Sequence, residues 1–191
     1  MFVKKNKYYI YIENLSSINL HNIKNRTKFN LIYRNNIQKD KLGDIIAFVK
    51  KCKKMGIKFY IANDLYRALS VNADGIYLSS YNKRFLNINT QSRKKFKIIG
   101  SAHNFREINI KKRQGCEIII LSRLFKTNYK NKNSFMGITK FNLITKNIFK
   151  NFVALGGIRS RNLMKIKILN CEGIALLSEV KKKPAIIRRL F

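Results

Sequence analysis

The residues able to do chemistry in this chain stand where short apolar runs give way to polar ones. Arg34 ends FNLIYR, Asn63 and Asp64 end IKFYIAND, Ser79 and Ser80 end GIYLSS, and Ser101 lies in KIIGSA. Glu13 follows KYYIYI, Arg123 follows EIIILS, Gly156 and Gly157 close FVALGG, and Ser178 closes GIALLS. Amides, hydroxyls, guanidinium groups and glycine N–H groups all donate hydrogen bonds, so the set suits an anionic ligand. Any one of these residues is explained equally well by a strand leaving the core. Their shared chemical type is what points to a ligand.

Carboxylates are scarce, with 9 Asp plus Glu in 191 residues, and only Glu13, Asp64 and Glu179 fall near the ends of such runs. A carboxylate pair for general acid–base work is therefore poorly supported. Asp64 is the best single candidate for a Mg²⁺ ligand, since this ion often takes one or two carboxylates plus substrate phosphate oxygens. Its position before LYRALS serves equally for a helix N-cap. His103, two residues after Ser101, is a candidate at the same level of the fold; His21 lies in a polar helical stretch and carries no signal. Cys52, Cys116 and Cys171 are far apart and form no C-x-x-C pair, which argues against structural zinc and a disulfide framework. G-x-x-x-x-G-K-[ST], G-x-G-x-x-G and H-E-x-x-H are all missing.

The elements that must position these residues follow a rhythm. Eight β-rich runs occur at 7–13, 29–34, 57–63, 75–79, 97–102, 117–125, 152–158 and 173–178. Between them, KLGDIIAFVKKCKKMG puts Leu42, Ile45, Ile46, Val49 and Cys52 on one face, with Gly56 as its stop. RSRNLMKIKILNC repeats the pattern with Leu163, Ile166 and Leu169, KKKPAIIRRLF suits a short closing helix, and DLYRALSVNA and FREINIKKRQG are weaker versions. Strand alternating with helix eight times predicts an α/β fold, a small (β/α)₈ TIM barrel in a single domain over 1–191. A doubly wound open sheet is the alternative, because periodicity does not reveal closure.

With 41 Lys plus Arg against 9 acids, the net charge is +32, and such a field attracts polyanions. The abundance of Lys, Asn, Ile, Tyr and Phe also fits an AT-rich coding sequence, which needs no polyanionic partner. A hydrophobic fraction of 46% supports a packed core rather than a disordered chain. No apolar run approaches membrane-spanning length and MFVKKNKYYIYIENL lacks a signal-peptide h-region, so a cytoplasmic protein with no membrane partner is expected.

Several segments, in order, resemble the thiamine phosphate synthase family. YIANDLYRALSVNADGIYLS is similar to its I-N-D and A-D-G-V-H-L-G-Q segments, and IIGSAHNFREI to its G-x-S-x-H strand and helix. GCEIIILSRLFKTNYK resembles G-A-D-Y-[VI]-x-x-G-P-[IV]-[FY]-x-T-x-[ST]-K, and FVALGGIRSRN and GIALLS resemble the closing segments. The resemblance covers roughly 29–180. It implies a (β/α)₈ barrel that joins hydroxymethylpyrimidine pyrophosphate to a thiazole phosphate with Mg²⁺, releasing pyrophosphate. Carried over by position, Arg34, Asn63, Ser101, Thr127 and Lys130 would hold the pyrophosphate end and Asp64 the magnesium. Gly156, Gly157 and Ser178 would cradle the thiazole phosphate.

The departures leave the phosphate half of the site better kept than the metal half. Ile32 and Asn36 stand where the family has Gln and Lys, and Asn82 stands at the second carboxylate, a degenerate ligand position. Ser122–Arg123 replaces Gly-Pro. Related thiazole tautomerases carry histidine at the Arg123 position; arginine does not exchange protons near neutral pH, which disfavours that activity. Two other readings stay open: a catalytically weakened paralogue that binds a phosphorylated thiazole or other small phosphate, and a basic nucleic-acid-binding protein. The latter draws on aromatics interleaved with lysines in KKNKYYIYIE and KTNYKNKNSF, but no known RNA- or DNA-binding motif accompanies them.

Overall fold

The computed structural model describes residues 7–23, 25–35, 40–86, 95–127, 134–146, 148 and 151–177. Eight parallel strands close into a barrel: β1 (Lys7–Ile12), β2 (Phe29–Tyr33), β3 (Lys58–Ala62), β4 (Gly75–Leu78), β5 (Lys97–Ala102), β6 (Ile118–Ser122), β7 (Asn151–Leu155) and β8 (Gly173–Leu176). Each expected strand is present. The pairing of Tyr8 with Ile174 across β1 and β8 closes the ring and rules out the open sheet. Parallel strands are covered on both faces, which is why they read as continuous apolar runs rather than alternating ones.

Register sorts the side chains into two cores. Tyr9, Tyr11, Ile32, Tyr60, Tyr77, Ile99, Ile118, Ile120, Val153 and Ala175 fill the barrel interior. The opposite faces, among them Tyr8, Leu31, Phe59, Ile76 and Leu121, pack in the outer core with helical residues such as Ile45, Val49, Cys52 and Ile108. The bulk of Tyr60 fits inside because Gly75 is opposite it; a Cβ there would lie 2.9 Å from the Tyr60 ring and 2.0 Å from the Lys97 carbonyl oxygen.

The helices are α1 (Leu42–Lys54), α2 (Leu65–Ser70), α3 (Phe105–Arg113) and α4 (Gly137–Lys146). In α1, Ile45, Val49 and Cys52 are buried as their spacing requires, whereas Leu42 in the first turn is 49% exposed. Gly56 ends the helix at φ +71°, a left-handed stop that suits glycine. The sequence reading contains no counterpart to α4, whose buried residues are Phe141 and Thr145; the Thr145 hydroxyl bonds back to the Phe141 carbonyl at 3.0 Å. The helix expected after Gly157 is a 3₁₀ helix, Ser160–Ile168. Leu163, Ile166 and Leu169 recur every three residues, which matches the three-residue turn better than 3.6. His21 lies in a short 3₁₀ turn, Leu20–Asn22. The KKKPAIIRRLF helix falls outside the described residues, as does Asn36.

Candidate functional site

All eight strands point the same way, so their C-terminal ends form one mouth. The inward register carried upward from Ile32, Tyr77, Ile99 and Ile120 brings Arg34, Ser79, Ser101 and Ser122 to its inner rim. Arg34 extends the β2 ladder by donating its backbone N–H to the Ile12 carbonyl at 2.8 Å. One of its terminal nitrogens reaches the Tyr81 hydroxyl at 3.5 Å, while its Nε is buried with no partner. Ser101, 5% exposed, accepts a hydrogen bond from the Tyr77 hydroxyl at 2.9 Å. Tyr11 packs edge-on against Tyr77, with ring centroids 5.4 Å apart, and its hydroxyl is buried without a partner. Burial first, and then the neighbouring Tyr77, pushes the Tyr11 phenol well above its ordinary range; burial also raises Tyr77, against the opposing Ser101 hydrogen bond. Both phenols stay neutral donors near pH 7.

Asn63 is the centre of the β3–β4 side. It follows β3 in the left-handed region at φ +59°, which asparagine tolerates better than most residues. Its Oδ1 accepts from the Ser79 backbone N–H at 2.9 Å, the Ser79 hydroxyl at 3.0 Å and Asn82 Nδ2 at 3.2 Å. Asp64, the next residue, caps α2: Oδ1 accepts from the Arg67 N–H at 2.9 Å, and Oδ2 lies 3.7 Å from Arg67 Nε. The helix-cap reading of Asp64 is thus met, and its side chain is 47% exposed with Oδ2 held only loosely. Asn82 is committed at both ends of its amide, since its Oδ1 accepts from the Arg84 N–H at 3.0 Å. Among the described residues no three His, Cys, Asp or Glu side chains form a metal-binding group. Among the described residues this side of the mouth thus offers a divalent cation one loosely held carboxylate oxygen, that of Asp64, and no protein cage.

The β6–β7 side is built differently. Leu124 N–H donates to the Leu155 carbonyl at 2.9 Å and Phe125 N–H to Gly156 at 3.0 Å, so the loop after β6 is zipped to the turn after β7. Gly156 and Gly157 have φ +102° and +67°, and a Cβ on Gly157 would lie 2.6 Å from both the Phe125 and Lys126 carbonyl oxygens. The missing Cβ is thus used for close approach of neighbouring backbone. Asn162 ties the turn to the 3₁₀ helix, accepting from Arg159 N–H at 2.8 Å and donating to the Gly157 carbonyl at 2.8 Å. Thr127 Oγ1 is buried without a partner. Arg123 packs under this turn, within 3.1 Å of a Cβ built on Gly156. Lys130 and Ser178 lie outside the described residues.

His103 stands at the end of β5. Its Nδ1 lies 2.9 Å from Glu107 Oε2, which also accepts the His103 backbone N–H at 2.8 Å. Glu107 exchanges bonds with Asn104, its N–H donating to Asn104 Oδ1 at 2.9 Å, which starts α3. Sequence reasoning missed Tyr11, Tyr77 and Asn162. Their signals were present: inward parity for the tyrosines and an Asn three residues after Arg159.

At the other end of the barrel, a cavity of about 920 Å³ is lined by Glu117, Cys171, Glu172 and neighbours. Asp74 braces that end, accepting from Phe59 N–H at 3.0 Å and Lys58 Nζ at 2.8 Å. Among the described residues no helix is long and apolar enough to cross a membrane.

A family model described as thiamine monophosphate synthase matches residues 16–180. A thiamine-phosphate synthase of Prochlorococcus marinus (strain AS9601) is 32% identical over 152 residues, 78% of this chain and 42% of that protein. One from Flavobacterium johnsoniae is 28% identical over 169 residues, covering 83% of this chain and 79% of the relative. The chain spans about two fifths of the length of the Prochlorococcus relatives it matches. Among solved structures, thiamine phosphate pyrophosphorylase from Pyrococcus furiosus superposes with a TM-score of 0.71 at 17% identity, covering 97% of this chain and 92% of that one. The 3-hexulose-6-phosphate synthase from Salmonella typhimurium gives 0.69 at 11% identity, with 96% of each chain covered; at such identities the likeness is one of fold. From the family match and the sequence relatives together, this chain belongs to the thiamine monophosphate synthase family.

Proposed function

We propose that the chain joins hydroxymethylpyrimidine pyrophosphate to thiazole phosphate, giving thiamine phosphate and pyrophosphate. The observation that carries this reading is the pair of buried donors without partners at the mouth, Arg34 Nε and Thr127 Oγ1. A buried donor left unpaired costs about 1–3 kcal/mol, and a phosphorylated substrate would relieve both. These are two of the residues that the family resemblance assigns to pyrophosphate.

In this reading the bond between the pyrimidine methylene and the pyrophosphate oxygen breaks, and the electron pair leaves with pyrophosphate. The thiazole nitrogen then donates its lone pair to the resulting cation, so no side-chain nucleophile is needed. Bound Mg²⁺ would supply Lewis-acid stabilisation of the departing pyrophosphate, with Asp64 as its protein ligand. Arg34, Thr127 and Lys130 donate to the departing oxygens, where interactions that strengthen as charge develops lower the barrier. Asn63 holds Ser79 and Asn82 in place, and Ser101 with Tyr77 forms a neutral, hydrogen-bonding floor under the ring. Backbone N–H groups around Gly156–Gly157 and the Ser178 hydroxyl hold the thiazole phosphate. Partners are thus small phosphorylated substrates. Incubation with both substrates and Mg²⁺ is expected to yield thiamine phosphate; none at high enzyme concentration would sink the reading.

A second reading is favoured by Asn82, whose amide turns toward Asn63 at 3.2 Å and brings no carboxylate to the metal. A chain so altered would bind thiazole phosphate with little turnover. Thermal stabilisation by thiazole phosphate without product distinguishes this case.

A further inference from the structure

Resting on the proposed pyrophosphate site, one more device is visible behind it. Lys111 of α3 is fully buried, and Gln114 is 4% exposed. Lys111 Nζ donates to the Asn82 carbonyl at 2.6 Å and to Gln114 Oε1 at 2.8 Å. Gln114 Nε2 in turn donates to the Asn82 carbonyl at 3.0 Å and the Arg84 carbonyl at 2.7 Å. Lys111 of α3 and Gln114, which caps its C-terminus, therefore close on two carbonyls of the turn after β4.

A helix that needed only volume here would carry an apolar residue, because burying an ammonium costs several kcal/mol before its hydrogen bonds return any of it. The barrel wall is also shaped for this stem: a Cβ on Gly100 would lie 2.8 Å from Lys111 Cδ and 3.0 Å from its Cγ. We propose that Lys111 and Gln114 act as a strap that fixes the turn after β4. It positions Asn82, and through Asn82 the Asn63 carboxamide, at the pyrophosphate half of the mouth. They are positioning residues, since the described contacts join them to the turn rather than to the mouth itself.

The test uses the full chain with Lys111→Met and, separately, Gln114→Glu. The second variant keeps an acceptor for Lys111 while removing the donors to Asn82 and Arg84. Amide hydrogen exchange at 81–84 is expected to rise roughly tenfold in both, with β6 and β7 unchanged. Stabilisation by inorganic pyrophosphate with Mg²⁺ should fall, while stabilisation by thiazole phosphate persists. Unchanged exchange at the turn overturns the strap. Faster exchange with undiminished pyrophosphate binding overturns its positioning role and leaves a structural brace. If the unaltered chain shows no response to pyrophosphate, the functional reading fails, and exchange alone decides the strap. Should Lys111→Met fail to fold, Gln114→Glu carries the same outcomes.

Discussion

The two halves of the mouth are held by different means. From β2 to β5 the rim is organised by side chains: Asn63 gathers Ser79 and Asn82, Tyr77 meets Ser101, and Tyr33 donates to Asp40 at 2.6 Å. Around β6 and β7 it is organised mainly by backbone, with Leu124 and Phe125 zipped to Leu155 and Gly156 and the Asn162 side chain tying the turn to the 3₁₀ helix. A side-chain network changes when its hub residue changes, whereas a backbone zipper tolerates many sequences but no added Cβ at its tightest point. Of the departures from the family motifs that the sequence resembles, Ile32 and Asn82 fall on the side-chain half and Ser122–Arg123 on the backbone half.

High pH should separate the halves most strongly. Tyr33 is pushed up to about 12 by burial and by its bond to Asp40, and burial raises Tyr11 and Tyr77 as well. The folded chain holds these phenolic protons more tightly than the unfolded chain, whose phenols titrate near 10. Their contribution to stability is complete below pH 10 and declines as pH climbs above it, that of Tyr33 being lost by about pH 12. Tyrosinate absorbance followed with hydrogen exchange should show β1, β2 and β4 loosening before β6 and β7; simultaneous loss would erase the distinction.

Next in size is Gly157→Ala. The new Cβ meets two carbonyl oxygens at 2.6 Å in a left-handed conformation. Thermal or urea melts should register a loss of about 3 kcal/mol, and a loss below 1 would mean the zipper yields easily. Asn63→Gly keeps the left-handed backbone but removes the hub, leaving the Ser79 N–H in need of a partner. About 2 kcal/mol is expected, together with weaker pyrophosphate binding and unaltered thiazole phosphate binding. Asn162→Ala removes the tie between Gly157 and Arg159, and should cost about 1 kcal/mol by the same melts.

The smallest effect on stability belongs to Asp64→Asn, since asparagine caps a helix about as well as aspartate. The change should stay within about 0.5 kcal/mol while raising the Mg²⁺ needed for turnover. An unaltered Mg²⁺ requirement would leave Asp64 as a cap alone.

Much of the frame was legible because physics writes it locally. Strands covered on both faces must be apolar throughout, so all eight runs stood out, and the residues that ended them marked the mouth. The helix α4 did not stand out because Thr145, a buried member of its face, is polar and satisfies its hydroxyl within the helix. The Asn63 hub has only a faint signal, an asparagine directly after a strand where φ turns positive. Lys111 and Gln114 were invisible for a stronger reason. On a helix that carries exposed Arg106 and Arg113 and half-buried Lys112, a buried lysine looks in sequence like any solvated one, and only the spatial meeting of α3 with the β4 turn reveals its task. Gly157 was legible as a turn, but the neighbours that need its bareness, Phe125 and Lys126 in the loop after β6, are far away in sequence.

The barrel interior holds Tyr9, Tyr11, Tyr60 and Tyr77, and the chain has no tryptophan. Its ultraviolet emission is therefore tyrosine emission, undiluted by energy transfer to indole. Two of the four, Tyr11 and Tyr77, touch each other directly beneath the mouth. The fold thus carries its own optical reporter, and an aromatic ligand settling over that floor would quench it without any label.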